Sequence, residues 1–583
     1  MQKLMKHKYS VLAAIVLFVV VVLFSARLSY RVDLTAEKRH SVTNATRNLL
    51  KNIDSAITIQ VFLTGELPAD YKKLSQATRD LLDEFRSLSG NMIHVHFEKP
   101  GEAISNDTAK VMFYDSLSRL GVVFEQSETV STRSEKQTNQ LIIPSALVSF
   151  RNGQKPIAID LRSSRKVYKQ FNVLNDHAEE DVEATRNAAE ALLEYKFASA
   201  IEQLTRKQVP TVAYAVGNGE PIDLTVNDLG ESLRNQYKLA VFDLKKGYPD
   251  PSMINALLIV KPTQPFTEED KLKIDQYVMN GGHVIWFIDK LHAELDSLMR
   301  SQAGYTAFDR GLDLDDILFK YGVRINPDLL QDLNCSKIPI VIGKNADGSP
   351  QMQRIPWPYY PFLSARTDNP ISRNLDRVLP IFPSSIDTVK APGIQKTILL
   401  ASDTNSRRIS SPAIVSLNSV KDDQDLMSFN KSYLPVAVLL EGKFHSLFAN
   451  RVGAELMDSI RRSTGKDFLP AAAKEGKQIV VADADIVTNT VSNTSGPMAM
   501  GTLPFENYRF ANREFFLNSV DYLVSESRLF EARNKDFVLR LLDKRKLEEQ
   551  RSTWQLVNIV LPIVLLVLIG LFLQWLRRRK YAA

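Results

Sequence analysis

The chain has 583 residues, 44% of them apolar, a formal charge of +6 and one cysteine, Cys335. That length allows roughly three or four domains, and the apolar fraction is enough for buried cores. A single cysteine excludes an intramolecular disulfide, a CxxC redox pair and a cysteine-rich metal site, and so small a charge gives no footing for nucleic-acid binding.

Val11 to Phe24 is apolar without a break and follows Lys3, Lys6 and Lys8. Residues 9–26 are long enough to span a bilayer, behind a short tail of residues 1–8. A signal peptide is the alternative. Cleavage after Ala26 would put Phe24 where a small residue is wanted, so a retained anchor is expected.

Residues 33–165 read as a first domain. A capped helix near Thr43 to Ile53 precedes an alternating strand at Ile57 to Leu63. Leu74 to Leu88 carries apolar residues at helical spacing, and Met92 to Phe97 reads as a strand. His94 and His96 alternate along that strand and mark its polar face. Ile143-Pro144 then leads a strand, an Asn152-Gly153 turn and a return strand through Ile157, Ile159 and Leu161. This looks like the proline-led hairpin of a thioredoxin-like domain, with a generic hairpin as the alternative. The segment Gly65 to Asp70, after the first strand, holds no cysteine, so the fold would serve structure or binding.

Residues 175–525 read as a doubly wound α/β domain or domains. A long helix over Glu179 to Thr205 leads into them. Strands at Thr211 to Val216, Leu239 to Leu244, Ala256 to Val260 and Val284 to Ile288 alternate with helices, which predicts a parallel sheet. Ligands on such sheets bind beyond the strand carboxyl ends. Asn218, Gly219, Glu220 and Asp289 are therefore the first candidate site residues.

Known chemistries find little support there. The sequence has no GxxxxGK[ST] loop, GxSxG elbow or HExxH helix. Class I amidotransferases share the general topology, but Cys335 stands in Gln331-Asp332-Leu333-Asn334-Cys335, away from a nucleophile elbow. A metal site at Asp483 and Asp485 would need further carboxylates to converge. No catalytic residue, metal or cofactor is assigned.

Trp357, Tyr359 and Tyr360 form a rigid aromatic stretch with Pro358 and Pro361. It reads as a docking surface for a ligand or partner, or as a packed crossover between subdomains. A helix is expected at Phe516 to Leu523. Residues 528–552 form a charged juxtamembrane helix with Phe530, Phe537 and Leu541 on one stripe. That stripe is either a solvated stalk or a lever that contacts a permease. Residues 554–576 read as a second membrane helix, with Trp554 and Trp575 at its ends. Arg577, Arg578, Arg579 and Lys580 open the tail of residues 577–583. Both termini are expected in the cytoplasm of a bacterium, the body in the periplasm.

Several segments also resemble one family in order and spacing. They are Arg31-x-Asp33-Leu34-Thr35, Gly217-Asn218-Gly219-Glu220-Pro221, Ile274 to Gly282, Tyr321 to Asn326, Trp357 to Pro361, Leu440 to Phe444, Ala482 to Ile486 and Asn512 to Asn518. Together they are similar to the GldG family, the gliding-motility-associated ABC-transporter auxiliary proteins of Bacteroidetes. Ala484 departs from that pattern, where glycine is frequent. The resemblance implies a non-catalytic auxiliary or substrate-binding subunit in the inner membrane. Its implied partners are a permease subunit, a cytoplasmic ATPase subunit and the lipid bilayer. It also implies kinship of the middle domain with a module of intraflagellar transport proteins. A structural scaffold without a small ligand and a membrane-anchored hydrolase are the alternatives. The expected fold is α/β, with a thioredoxin-like N-terminal domain and a doubly wound, amidotransferase-like part flanked by two transmembrane helices.

Overall fold

The computed structural model describes residues 41–581, except 103, 131–136, 151–153, 164–180, 296, 299–303, 346–347, 418–422, 493, 495, 507, 526–528, 530–531 and 533–543. The expected first anchor, the Asn152-Gly153 turn and the stripe of Phe530, Phe537 and Leu541 lie outside the described residues. Two compact units divide between residues 536 and 537.

In the first domain, α1 (Asn44–Lys51) is capped by Thr43. β1 (Ile57–Val61) alternates buried and half-buried residues, as a strand with one covered face must. α2 (Ala69–Leu88) begins after Pro68 and buries Leu74, Leu82 and Phe85. β2 (Ile93–Phe97), α3 (Asp107–Arg119), a hairpin of β3 (Glu125–Val130) and β4 (Gln137–Ile142), then β5 (Ser145–Ser149) and β6 (Ile157–Asp160) follow. The sheet order is β2-β1-β5-β6. β1 and β2 are parallel, and the other pairs antiparallel.

α4 (Val182–Thr205) puts Leu193, Phe197 and Ile201 into one core with Ile59, Phe85 and Val148. Core packing thus attaches this helix to the first domain, although its place in the chain suggested the second. Its far end is tied onward. Tyr195 and Arg206 both donate to Asp521, at 3.5 and 3.3 Å, and Tyr237 donates to the same carboxylate at 3.1 Å.

The second domain is built on an eight-stranded sheet. Its parallel part holds β7 (Thr211–Val216), β8 (Lys238–Asp243), β9 (Ala256–Val260) and β10 (His283–Phe287). Further strands are β11 (Cys335–Lys344), β12 (Pro350–Pro361), β13 (Ser364–Ala365), β14 (Ile394–Ala401), β15 (Pro435–Gly442) and β16 (Gly476–Val481). The order is β13-β14-β15-β16-β10-β9-β7-β8. From β16 to β8 neighbouring strands are parallel; β13, β14 and β15 extend the sheet antiparallel. β9 is buried at every residue, which is why it reads as an unbroken apolar run. α5 (Asn227–Arg234), α6 (Glu268–Met279) and α7 (Asn512–Val524) pack in this domain. α6 starts with a capping box between Thr267 and Asp270. β11 and β12 form a separate two-stranded ribbon.

The second unit contains α8 (Lys544–Tyr581). Its stretch Trp554–Arg579, 26 residues, is long and apolar enough to cross a membrane.

Candidate functional site

The carboxyl ends of β9, β10 and β16 meet because Phe287 is in register with both Val260 and Val481. The residues just beyond these ends therefore lie side by side. Asp289, Asp483 and Asp485 bring carboxylate oxygens within 4.8 Å of one another. Lys261, in the left-handed region with φ 48°, turns its ammonium into the group. It bonds Asp485 and lies 3.4 Å from Asp289. Arg310 approaches Asp289 at 3.9 Å.

Backbone amides hold the acids in place. Ala484 N donates to Asp289 at 2.7 Å, and Asp485 N and Ile381 N each donate to Asp483 at 2.6 Å. Burial pushes the pKa of Asp289 up, against the pull of Lys261. Burial, then Asp485 and Asp289, push Asp483 well above the usual carboxylate range. Burial alone would lower Lys261, but Asp485 and Asp289 outweigh it and hold its pKa above the ordinary value. Three converging carboxylates make an oxygen donor set of the kind hard cations take. Here Lys261 supplies a cation from the chain itself. Asp289 was legible as a candidate; its meeting with Asp483 and Asp485 was not.

The order of the sheet reverses at β7, and the loops after β7 and β9 flank that switch point. The chain fills the crevice with its own groups. Asn218 O accepts from Thr263 N at 3.0 Å and Gln264 N at 2.9 Å. Asn218 Nδ2 donates to Pro265 O at 3.1 Å and to Asp270 at 3.3 Å. Glu220 accepts from Asn218 N at 2.7 Å, and burial raises its pKa against its own amide and those of Asn218 and Gly217. Asn218 and Glu220 are both buried, and Asn218 Oδ1 and Glu220 Oε1 have no hydrogen-bond partner among the described residues. Gly219 has φ 79°, and a Cβ there would overlap Thr263 Oγ1. Gly219→Ala is expected to destabilise the protein by about 1–3 kcal/mol, read as a lower thermal midpoint.

Trp357, Tyr359 and Tyr360 are no docking surface. Each is at most 2% exposed. They surround Phe382, with ring centroids 5.4 to 5.7 Å from it. Tyr359 donates its hydroxyl to Ile414 O at 2.9 Å, and Trp357 Nε1 reaches Ser416 O at 3.3 Å. The first half of β12 is exposed, but its second half runs into a core with Leu329 and Ala413. The stretch is thus the packed crossover.

Open space lies elsewhere, where the first domain and α4 face the segment before and within α7. Two adjoining cavities of about 310 and 510 Å³ share Asp160, Arg162, Ser163 and Glu514. Their walls come from Pro68 to Leu74, Ile157 to Ser163, α4, and residues 508–521. No local motif marks this crevice, because four distant segments build it. The one signal was the segment Asn512 to Asn518, singled out for its resemblance, which contains Glu514.

Comparison with known proteins places these observations. The model of a family described as an ABC-type uncharacterized transport system matches residues 209–519. That of a domain of unknown function matches residues 36–149. No curated protein matches. Among solved structures, the mmIFT52 N-terminal domain is similar at 12% identity and a TM-score of 0.29, over 54% of this chain and 97% of that one. Exo-beta-1,4-mannosidase Op5Man5 from Opitutaceae bacterium strain TAV5 is similar at 12% identity and a TM-score of 0.19, over 51% and 34%.

Proposed function

Since the chain belongs to the family of ABC-type uncharacterized transport systems, we propose that it is a non-catalytic, membrane-anchored auxiliary subunit of an ABC transporter, with a substrate-binding role linked to gliding motility. The observation that carries this reading is the family match over residues 209–519, joined in the same chain to an apolar helix able to cross a bilayer. Its partners are a permease subunit and a cytoplasmic ATPase subunit. The protein sits in a bacterial inner membrane through residues 9–26 and 554–576, its body periplasmic and both termini cytoplasmic. The basic run Arg577-Arg578-Arg579-Lys580 behind the second span supports that orientation.

The non-enzymatic reading is supported by the strand-end cluster, where Lys261 is engaged by Asp485 and Asp289, and Asp289 and Asp483 are further held by backbone amides. The order β2-β1-β5-β6, with its parallel first pair, supports a thioredoxin-like reading of the first domain. Without a cysteine there, that domain would bind and not exchange disulfides. A scaffold without a small ligand is the second reading, favoured by the self-filled switch-point crevice.

The test is an affinity pull-down from gently solubilised membranes with a C-terminal tag. The full chain is expected to recover a polytopic permease and its ATPase. A chain ending after residue 550, tagged in the same way, is expected to lose both. Recovery of unrelated envelope proteins from the full chain would overturn the transporter reading and leave the scaffold.

A further inference from the structure

The larger cavity, about 510 Å³, falls in the usual range for small-molecule sites, about 300–1,000 Å³. Pro68, Tyr71 and Val182 give it an apolar wall. Most charged groups on that wall are already used. Arg186 bridges Asp70 at 2.7 Å. Arg162 bridges Asp160 at 2.9 Å and Glu125 at 3.3 Å, and Tyr71 donates to Glu125 at 2.7 Å.

Two charges of opposite sign remain. Among the described residues, the side chains of Arg509 and Glu514 have neither a hydrogen-bond nor an ion-pair partner, and they do not pair with each other. Glu514 Oε2 is buried and unbonded. Arg509 is exposed; partial burial, and after it Arg513, lower its pKa against the pull of Glu514, Asp228 and Asp160. Their backbones are fixed. Arg509 forms a bridge to Thr502, and Glu514 lies in the first turn of α7. A carboxylate oxygen buried without a bond forfeits hydration, a cost that a complementary ammonium would offset.

We propose that this crevice binds a zwitterion with a free ammonium and a free carboxylate, as amino acids and short peptides carry. The carboxylate pairs with Arg509, whose planar fork suits it, and the ammonium with Glu514. An apolar side chain packs on Tyr71 and Val182. The proposal rests on the substrate-binding part of the reading above. Its test needs no transporter, so failure of the pull-down and failure of ligand binding are separate results.

Detergent-solubilised full-length protein is titrated calorimetrically with phenylalanine, and with pools of di- and tripeptides that each contain one phenylalanine. The same compounds are then used N-acetylated or C-amidated. At least one free zwitterion is expected to bind, and each blocking group to weaken it about tenfold or more. Arg509→Gln is expected to abolish the sensitivity to amidation, and Glu514→Gln that to acetylation. Both variants should keep the parent thermal midpoint. Phenylalanine against the peptide pools distinguishes the two ligand sources. The proposal is overturned if no free zwitterion binds at millimolar concentration, or if blocked forms bind equally well. It is also overturned if Arg509→Gln lowers the midpoint, which would assign that charge to the fold.

Discussion

Lys261→Met is expected to cost the fold about 3–5 kcal/mol at neutral pH, the usual penalty for stripping one partner from a buried ionic group. The methionine fits the space of the lysine stem but leaves Asp289, Asp483 and Asp485 facing one another without their central cation. The pH dependence gives the test its sign. Asp289 and Asp483 already have folded pKa values raised above the ordinary carboxylate value by burial, and Lys261 opposes this in both. Without the lysine they rise further. A carboxyl raised in the folded state adds stability that is fully present below its unfolded pKa, about 3.9, and is lost as pH rises through the folded value. The variant should therefore unfold most readily at pH 8 and recover part of its thermal midpoint at pH 5. Adding Asp485→Asn should restore part of the loss at pH 8. An unchanged midpoint for Lys261→Met at pH 8 would show that the acids do not depend on the ammonium.

The second large effect is expected at Trp357. Its ring is 0% exposed and lies 5.3, 5.0 and 5.4 Å from the rings of Tyr359, Tyr360 and Phe382. Truncation to alanine removes buried area and leaves a cavity that this aromatic group cannot close, so Trp357→Ala should cost about 3–5 kcal/mol. Trp357→Phe should lose far less, because a ring remains in the slot. Thermal unfolding checks both. A docking role would give the opposite pattern: an unchanged midpoint for Trp357→Ala with loss of the permease from the pull-down.

These two sites show what the sequence discloses and what it withholds. β7 and β9 are legible because strands buried on both faces leave runs such as Ala256-Leu257-Leu258-Ile259-Val260. β1 is legible by its alternation. The hairpin of β3 and β4 is not, since Glu125 to Gln140 is mostly polar and lacks an apolar face to read. Asp289 was legible as a strand-end residue. Its neighbour Ala484 lies 195 positions away and arrives only through the pairing of β10 with β16. An aromatic stretch between prolines looks the same in sequence whether it faces a partner or a core. Arg509 and Glu514 look like any surface charges until the distant segments that could have neutralised them prove to be occupied with others.

α8 is one unbroken helix of 38 residues, about 57 Å of rod, set against about 30 Å of hydrocarbon. Its first ten residues, Lys544 to Thr553, continue the axis of the span about 15 Å past Trp554. A continuous hydrogen-bonded helix is stiff along its axis, so in a bilayer a tilt of the apolar stretch would displace Lys544. Pro562, which has no amide proton, is the natural place for such a rod to flex. With Pro562 as the flexing point, such a tilt would turn about a fulcrum within the apolar stretch.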